Sequence, residues 1–203
     1  AHKHVSGAAK YVDDIAVPPN TLEILLGQSK FAHAKILSMD LSQVENFPGV
    51  IKVLTSADIP GTNDCSPFAG DDPIFAENVV SYLGQSVFAV VAEDIKTARN
   101  AIELADIKYE ELPAVITIDQ ALETGNVLGP PAVIECGKVD QALAKSKNKL
   151  EGKIILGGQE HFYLEGQAAF AVAGEDTDIV VHCSTQHPTE IQHKVAMALG
   201  LSN

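Results

Sequence analysis

An α/β (α+β) fold is the class this sequence predicts, and three observations predict it. Short runs rich in β-branched residues alternate with helically spaced apolar residues from Leu22 to Glu110. One stretch, Val87–Ala92, then Ile95–Ala105, then Ile107–Glu110, reads as strand, helix and strand in the manner of a β-α-β unit. The 203 residues are 46% apolar and 20% charged, which allows a buried core and argues against disorder. That length suits one large domain or two small ones.

The elements follow in order. Val5 to Ile15 is a mixed entry segment, closed by Pro18-Pro19-Asn20. Leu22–Ser29 is nearly continuous in apolar residues, as a buried strand should be. Ala34–Met39 is a second strand. Leu41–Asn46 supplies one or two helical turns, with Ser42 as the expected cap. Pro48-Gly49 marks a turn, and Val50–Leu54 is a strand. Ser56–Ala76, punctuated by Pro60, Gly61, Pro67, Gly70 and Pro73, reads as a long surface loop. Val79–Tyr82 and Val87–Ala92 read as strands around Gly84-Gln85. Ile95, Ala98, Ala101, Ile102 and Ala105 share one helix face. The connections are too irregular for a doubly wound nucleotide-binding fold.

Past Pro113 the pattern loosens. Ile118–Leu122 and Val139–Ala144 are short helices, and Gly129-Pro130-Pro131 lies in a linker. Ile154–Leu156 begins a strand that Gly157-Gly158 breaks. Gln167–Ala173 and Ile179–His182 form a hairpin with Gly174-Glu175-Asp176 at its tip. Thr189–Leu199 is a helix on the spacing of Ile191, Val195, Ala198 and Leu199.

Composition removes whole classes of function. Fourteen Lys and Arg stand against 27 Asp and Glu, a net charge of −13, which excludes general nucleic-acid binding. No apolar run approaches the roughly 20 residues of a membrane span, and no signal peptide opens the chain. Cys65, Cys136 and Cys183 are scattered, so no disulfide framework, four-cysteine zinc site or cysteine-held iron–sulfur cluster is readable. The expectation is a soluble, cytoplasmic protein. The start at Ala1 without Met, and the end just past a helix, lead us to expect a fragment.

Chemistry-bearing residues concentrate in two places. Gly157-Gly158-Gln159-Glu160-His161-Phe162-Tyr163-Leu164-Glu165 joins two permissive glycines to an amide and three titratable groups. Two readings stay open here: a strand that bulges at the glycines and packs Phe162 and Leu164 on one side, or a bend that admits a ligand. His182-Cys183-Ser184-Thr185-Gln186-His187, with His193 beyond, gathers possible metal ligands in no common zinc spacing. Gln186–Glu190 reads as a helix start of the kind that favours anions. The pairs Asp13-Asp14 and Asp71-Asp72 are adjacent in sequence, whereas catalytic carboxylate pairs meet through the fold. Phosphate-loop, nucleophile-elbow and triad signatures are absent.

The nine residues from Gly157 resemble the glutamine motif of the xanthine dehydrogenase and aldehyde oxidase family of molybdenum hydroxylases. Further segments match in the same order. They are Ser6-Gly7 to Ile15, Pro48-Gly49-Val50 with Val53-Leu54-Thr55 and Ala57 to Gly61, Tyr82 to Val87, Tyr109 to Val115, and Ser184-Thr185-Gln186 with Gln192 and Val195-Ala196. Glu165 to Ala169 and Gln186 to Lys194 are most similar to the molybdenum-binding large subunit of the bacterial xanthine dehydrogenases.

The resemblance implies an architecture and an activity. Residues 1–115 would be an α/β hammerhead domain, 116–137 a linker and 138–203 the truncated start of a molybdopterin-binding domain. The family hydroxylates hypoxanthine, xanthine, aldehydes or N-heterocycles with oxygen from water. The molybdenum cofactor carries the metal. Electrons leave through 2Fe–2S clusters and FAD to NAD on a partner subunit or domain. Expected partners are the remainder of the molybdopterin subunit, the iron–sulfur/FAD subunit and a small purine, with neither nucleic acid nor membrane. Gln159 matches the glutamine whose amide hydrogen-bonds an oxo ligand on molybdenum, outside the metal's direct ligands. Gly158 would let the backbone approach closely, and His161 and Glu165 would support the bend. The family's glycine-rich Gly-Gly-Phe-Gly loop, substrate-facing glutamate, arginine and general-base glutamate have no counterpart here. No catalytic residue is therefore expected within the chain, and the piece alone should be inactive. The alternatives are an aldehyde oxidase or other heterocycle hydroxylase, and a structural or interaction module with no activity.

Overall fold

The computed structural model describes residues 1–67 and 70–202. The expected loop Ser56–Ala76 includes Phe68 and Ala69, and the expected third segment includes Asn203; those three lie outside the described residues. The chain divides into two compact units, Ala1–Ala114 with Glu165–Asn203, and Val115–Leu164. The fold is mixed α/β, as the alternation predicts.

The first unit begins with a short helix α1 (His2–Val5) and a 3-10 turn over Val12–Asp14. Strands β1 (Glu23–Gln28), β2 (Ala34–Asp40), β3 (Val50–Leu54), β4 (Val79–Val80), β5 (Ser86–Ala92) and β6 (Asp106–Glu111) follow, with α2 (Ser42–Glu45) and α3 (Ile95–Ile102) between them. They form two three-stranded sheets, ordered β1-β5-β3 and β4-β2-β6, and every pairing is antiparallel.

This topology corrects one expectation. The strands either side of α3 belong to different sheets, so β5-α3-β6 is a crossover between sheets and not a β-α-β unit. The strands either side of Gly84-Gln85 also separate: β4 pairs with β2, and β5 runs between β1 and β3. A buried side chain makes that switch. Gln85 is buried, its Oε1 accepts from the Ser81 N–H at 2.7 Å, and its carbonyl accepts from the Ser29 N–H at 2.8 Å.

The core forms around β5. Val87, Phe88, Ala89, Val90 and Ala92 are buried, because β5 has a strand on each edge and α3 packs on its sheet. Ala34, Val44, Val53, Val80, Ala98 and Ala101 complete one cluster that joins both sheets to α2 and α3. The β1 strand is less buried than its apolar run predicts. Leu25 turns toward the core, while Ile24 and Leu26 are 59% and 44% exposed on the opposite face. An edge strand of an antiparallel sheet buries one face only.

Helix starts are set by short carboxylates and hydroxyls. Asp94 caps α3 by accepting from the Thr97 N–H at 2.8 Å and the Thr97 hydroxyl at 3.0 Å, which hold its carboxyl below the usual range. Ser42 does not cap α2; it lies inside the helix, and Asp40 accepts from its N–H at 3.0 Å.

Within the first unit, Glu165–Asn203 contributes the hairpin β7 (Ala169–Ala173) and β8 (Ile179–Cys183) and the helix α6 (Pro188–Leu199). The Gly174 N–H closes the hairpin tip onto the Asp178 carbonyl at 2.7 Å. The second unit contains α4 (Ile118–Thr124) and α5 (Val139–Lys145). Thr117 and Gln120 form a reciprocal cap at the start of α4. Lys153 meets Asp119 at 2.9 Å, fully in solvent. Ile154–Leu156 has no regular structure and is exposed, contrary to the predicted strand, because no other strand of this unit is there to pair with it among the described residues. No helix among the described residues is long and apolar enough to cross a membrane.

The position of β5 sets a stability expectation. Phe88→Ala should destabilise the chain by about 3–5 kcal/mol, whereas Ile24→Ser should change stability by well under about 1 kcal/mol. Equilibrium urea unfolding of both variants measures this. Equal losses would mean that β5 is not the centre of the core.

Candidate functional site

The stretch Gly157–Leu164 is exposed along its whole length. Its internal order is local. The Glu160 carboxylate accepts from the Phe162 N–H at 3.3 Å, and Phe162 adopts φ 53°, which turns the chain. The rings of His161 and Tyr163 stack at 5.3 Å and 5°. Phe162 and Leu164 are 93% and 86% exposed, so the reading of a strand packing both on one side does not hold.

Gln159 makes no hydrogen bond among the described residues, and both its amide groups face solvent. Gly157 and Gly158 have negative or extended backbone angles, so their value does not lie in a left-handed turn. It lies in open space: nothing is within 4 Å of where a side chain would begin on either glycine. The site is thus an unencumbered strip of backbone followed by a free amide. It can receive a bulky group and offer it hydrogen bonds.

Beyond this strip the chain is fastened again. The Glu165 carboxylate accepts from the Val12 N–H at 2.8 Å, across 153 residues and partly buried. The Ala168 N–H donates to the Ser184 hydroxyl at 3.0 Å, and the Ser184 N–H returns to the Ala168 carbonyl at 3.1 Å. His182 stacks on Phe170 at 5.9 Å within the hairpin, and the Thr185 hydroxyl accepts from the His187 N–H at 3.0 Å. These residues order the hairpin and the start of α6. Among the described residues no three His, Cys, Asp or Glu side chains gather as a metal site.

The far end of α6 is held by the loop that follows β3. The Gly61 and Thr62 N–H groups donate to the Ala198 and Met197 carbonyls at 2.9 and 3.0 Å. Lys194 meets Asp64 at 3.2 Å, with both side chains largely buried. Asp64 also accepts from the Ser66 hydroxyl at 2.6 Å; that bond, with Lys194 behind it, holds its carboxyl below the ordinary range. Gly61 is required by contact: a β-carbon there would overlap the Met197 carbonyl oxygen and sit 2.7 Å from the Gly200 nitrogen. Sequence reasoning did not find these ties, because nothing local to Gly61, Asp64 or Val12 reveals a partner more than a hundred residues away.

The acidic pairs have local tasks. Asp14 accepts from the Tyr11 N–H at 3.0 Å in the first 3-10 turn. Asp72 accepts from the Tyr82 hydroxyl at 3.4 Å, and burial followed by that carboxylate pushes the Tyr82 hydroxyl up. Burial also raises the Cys65 thiol, with Asp72 and Asp64 adding to it, which makes Cys65 a poor nucleophile. A cleft of about 630 Å³ lies between β8 and α6, lined by Ile179, Val181, Cys183, Ile191, Val195 and Leu199 among others. All of its lining residues belong to the first unit.

Residues 6–113 match the family described as "Aldehyde oxidase and xanthine dehydrogenase, a/b hammerhead domain". Residues 122–203 match the "Molybdopterin cofactor-binding domain". The chain is 40% identical to xanthine dehydrogenase/oxidase of Gallus gallus over 99% of its own length and 15% of that protein. It is 39% identical to aldehyde oxidase 4 of Cavia porcellus over 98% of its length and 15% of that protein. It therefore spans about 15% of the length of these curated relatives. Among solved structures, it superposes on the aldehyde oxidoreductase from Desulfovibrio gigas with a TM-score of 0.82 at 27% identity, covering 98% of this chain and 24% of that one. The quinoline 2-oxidoreductase from Pseudomonas putida 86 gives 0.79 at 27% identity, covering 98% and 28%.

Two outcomes follow for the α6 anchorage. Gly61→Ala should destabilise the chain by about 1–3 kcal/mol through overlap at the helix end, read by thermal unfolding. Asp64 has a lowered folded-state pKa, so its contribution is present above the ordinary carboxylate range and is lost as pH falls through the lowered value. Stability of the wild type should therefore fall more steeply below about pH 4 than that of Asp64→Asn. Parallel pH profiles would remove Asp64 from the account.

Proposed function

The chain belongs to the aldehyde oxidase and xanthine dehydrogenase family of molybdenum-dependent oxidoreductases, and we propose that it serves as the start of the molybdenum-binding part of a xanthine dehydrogenase. The reaction is replacement of a C–H bond of hypoxanthine or xanthine by C–OH. The oxygen comes from water, and two electrons leave through 2Fe–2S centres and FAD to NAD, giving NADH and a proton. Those carriers belong to a partner subunit or domain. Aldehyde oxidase is the second reading, favoured by the 39% identity to aldehyde oxidase 4, one point below the xanthine dehydrogenase/oxidase value.

The observation that carries the proposal is the free amide of Gln159 beside two open glycines. The residues fit a pterin-held metal: the backbone at Gly157 and Gly158 is clear to 4 Å, and the amide has no competing bond among the described residues. The molybdenum cofactor, when bound, supplies the two-electron chemistry. Gln159 would hold the group by offering its amide hydrogens to it. Gly158 would leave the backbone clear for that approach. Glu160 fixes the turn after Gln159 by holding the Phe162 N–H.

The assignment of 1–115 as a hammerhead domain, 116–137 as a linker and 138–203 as the start of the cofactor domain is part of the same reading, as is a cytoplasmic location. The remainder of the subunit is the expected partner. Ile116, Ile118, Leu122, Leu128, Ile134, Leu150, Ile154 and Leu156 are all exposed, and surfaces this apolar belong against other protein.

Gln159→Ala in the complete protein should lower turnover about 10–100-fold for its preferred substrate while leaving the fold intact. Unchanged turnover would contradict the role of Gln159. Comparing kcat/KM for xanthine and for an aromatic aldehyde on the wild type separates the two readings. The 203 residues alone should neither turn over nor retain molybdopterin; tight cofactor binding by them would overturn that expectation.

A further inference from the structure

Glu165 is the first residue after the glutamine strip that the fold holds. The stretch from Gly157 to Leu164 is exposed and, among the described residues, bonds only within itself, whereas the Glu165 carboxylate accepts from the Val12 N–H at 2.8 Å. Val12 opens a 3-10 turn, so its N–H has no partner inside that turn. The neighbouring Tyr11 N–H is already taken by Asp14 at 3.0 Å. Glu165 therefore satisfies a backbone donor that the turn leaves open, in a partly buried setting where losing the acceptor is costly. Three residues on, the Ala168–Ser184 pair registers the chain into the hairpin. The strip thus hangs from a fixed point six residues past Gln159, a separation of at most about 20 Å along the chain. The left-handed turn at Phe162 and the Glu160 bond shorten that reach further.

We infer that Glu165 is a positioning residue for Gln159, acting by fastening the end of the glutamine strip to the backbone of the N-terminal 3-10 turn. This rests on the reading of Gln159 given above. The bond needs an acceptor and does not need a charge. A glutamine carbonyl can accept the same N–H; an alanine cannot. The donor can be removed instead: Val12→Pro deletes the N–H at a position whose preceding residue, Tyr11, is already extended at φ −101° and ψ 171°, as proline requires.

The test uses the complete enzyme and the variants Glu165→Ala, Glu165→Gln, Val12→Pro and Gln159→Ala. Hydrogen exchange of the peptides covering Val12 and Gly157–Ala168 is read beside the Mo(V) electron paramagnetic resonance signal and kcat. Glu165→Ala and Val12→Pro should each speed exchange in both peptides, alter the Mo(V) signal and lower kcat about tenfold. Glu165→Gln should restore all three. Faster exchange at Val12 alone, with the Mo(V) signal and kcat of the wild type, would overturn the inference and leave Glu165 a structural hydrogen bond. A variant that fails to fold is replaced by its partner across the bond, since either removes the same interaction. If Gln159→Ala also leaves the Mo(V) signal unchanged, the role of Gln159 falls, and the positioning role falls with it. If Gln159→Ala changes the signal and Glu165→Ala does not, only the positioning role falls.

Discussion

Burial of β5 is the constraint on which the first unit depends. The strand has a partner on each edge, and Val87, Phe88 and Val90 are buried. A strand placed this way must be apolar on both faces, and it draws the other elements inward: α3 packs on its sheet, and the cluster it anchors reaches Val44 of α2 and Val80 of β4. The resulting body is a compact platform. What it supports is a short list of ties to Glu165–Leu199, through the backbone at Gly61 and Thr62, from the Val12 N–H to a carboxylate, and through the Asp64 side chain.

Those ties explain how an exposed strip can still carry chemistry. Gly157–Leu164 has little order of its own, because its apolar side chains face outward and its only bonds are local. Its end, however, is fixed at Glu165, where the chain rejoins the platform. An amide at the end of a tethered strip can be aimed by other protein and cofactor surfaces without those surfaces having to order it from nothing. The apolar side chains of Val115–Leu164 agree with this picture, since so many exposed Ile and Leu on one stretch call for a covering surface.

Much of the fold was legible because periodicity reports burial. The four β-branched or apolar residues of Val50–Leu54, the continuous run of Val87–Ala92 and the helical spacing expected over Ile95–Ala105 each gave an element close to its observed bounds, the helix ending at Ile102. Periodicity says nothing about which strands pair. It therefore suggested a β-α-β unit where α3 crosses between sheets, and it left open that the buried Gln85 directs β4 and β5 apart. Ile154–Leu156 failed for the complementary reason: β propensity without a partner strand gives no strand. The glutamine strip was visible as a resemblance and not as physics, for a Gly-Gly-Gln sequence is chemically quiet until something binds it. Val12, Gly61 and Lys194 were invisible, since their partners are distant in sequence and the residues themselves are ordinary.

The function rests on one chemical claim, that the free amide at Gln159 addresses a molybdenum centre. The most direct measurement is the molybdenum content of the complete protein purified from its natural source, by elemental mass spectrometry against protein concentration. Stoichiometric molybdenum, released together with a pterin on denaturation, is the predicted result. A pure, folded protein carrying no molybdenum under conditions of ample supply would contradict the account.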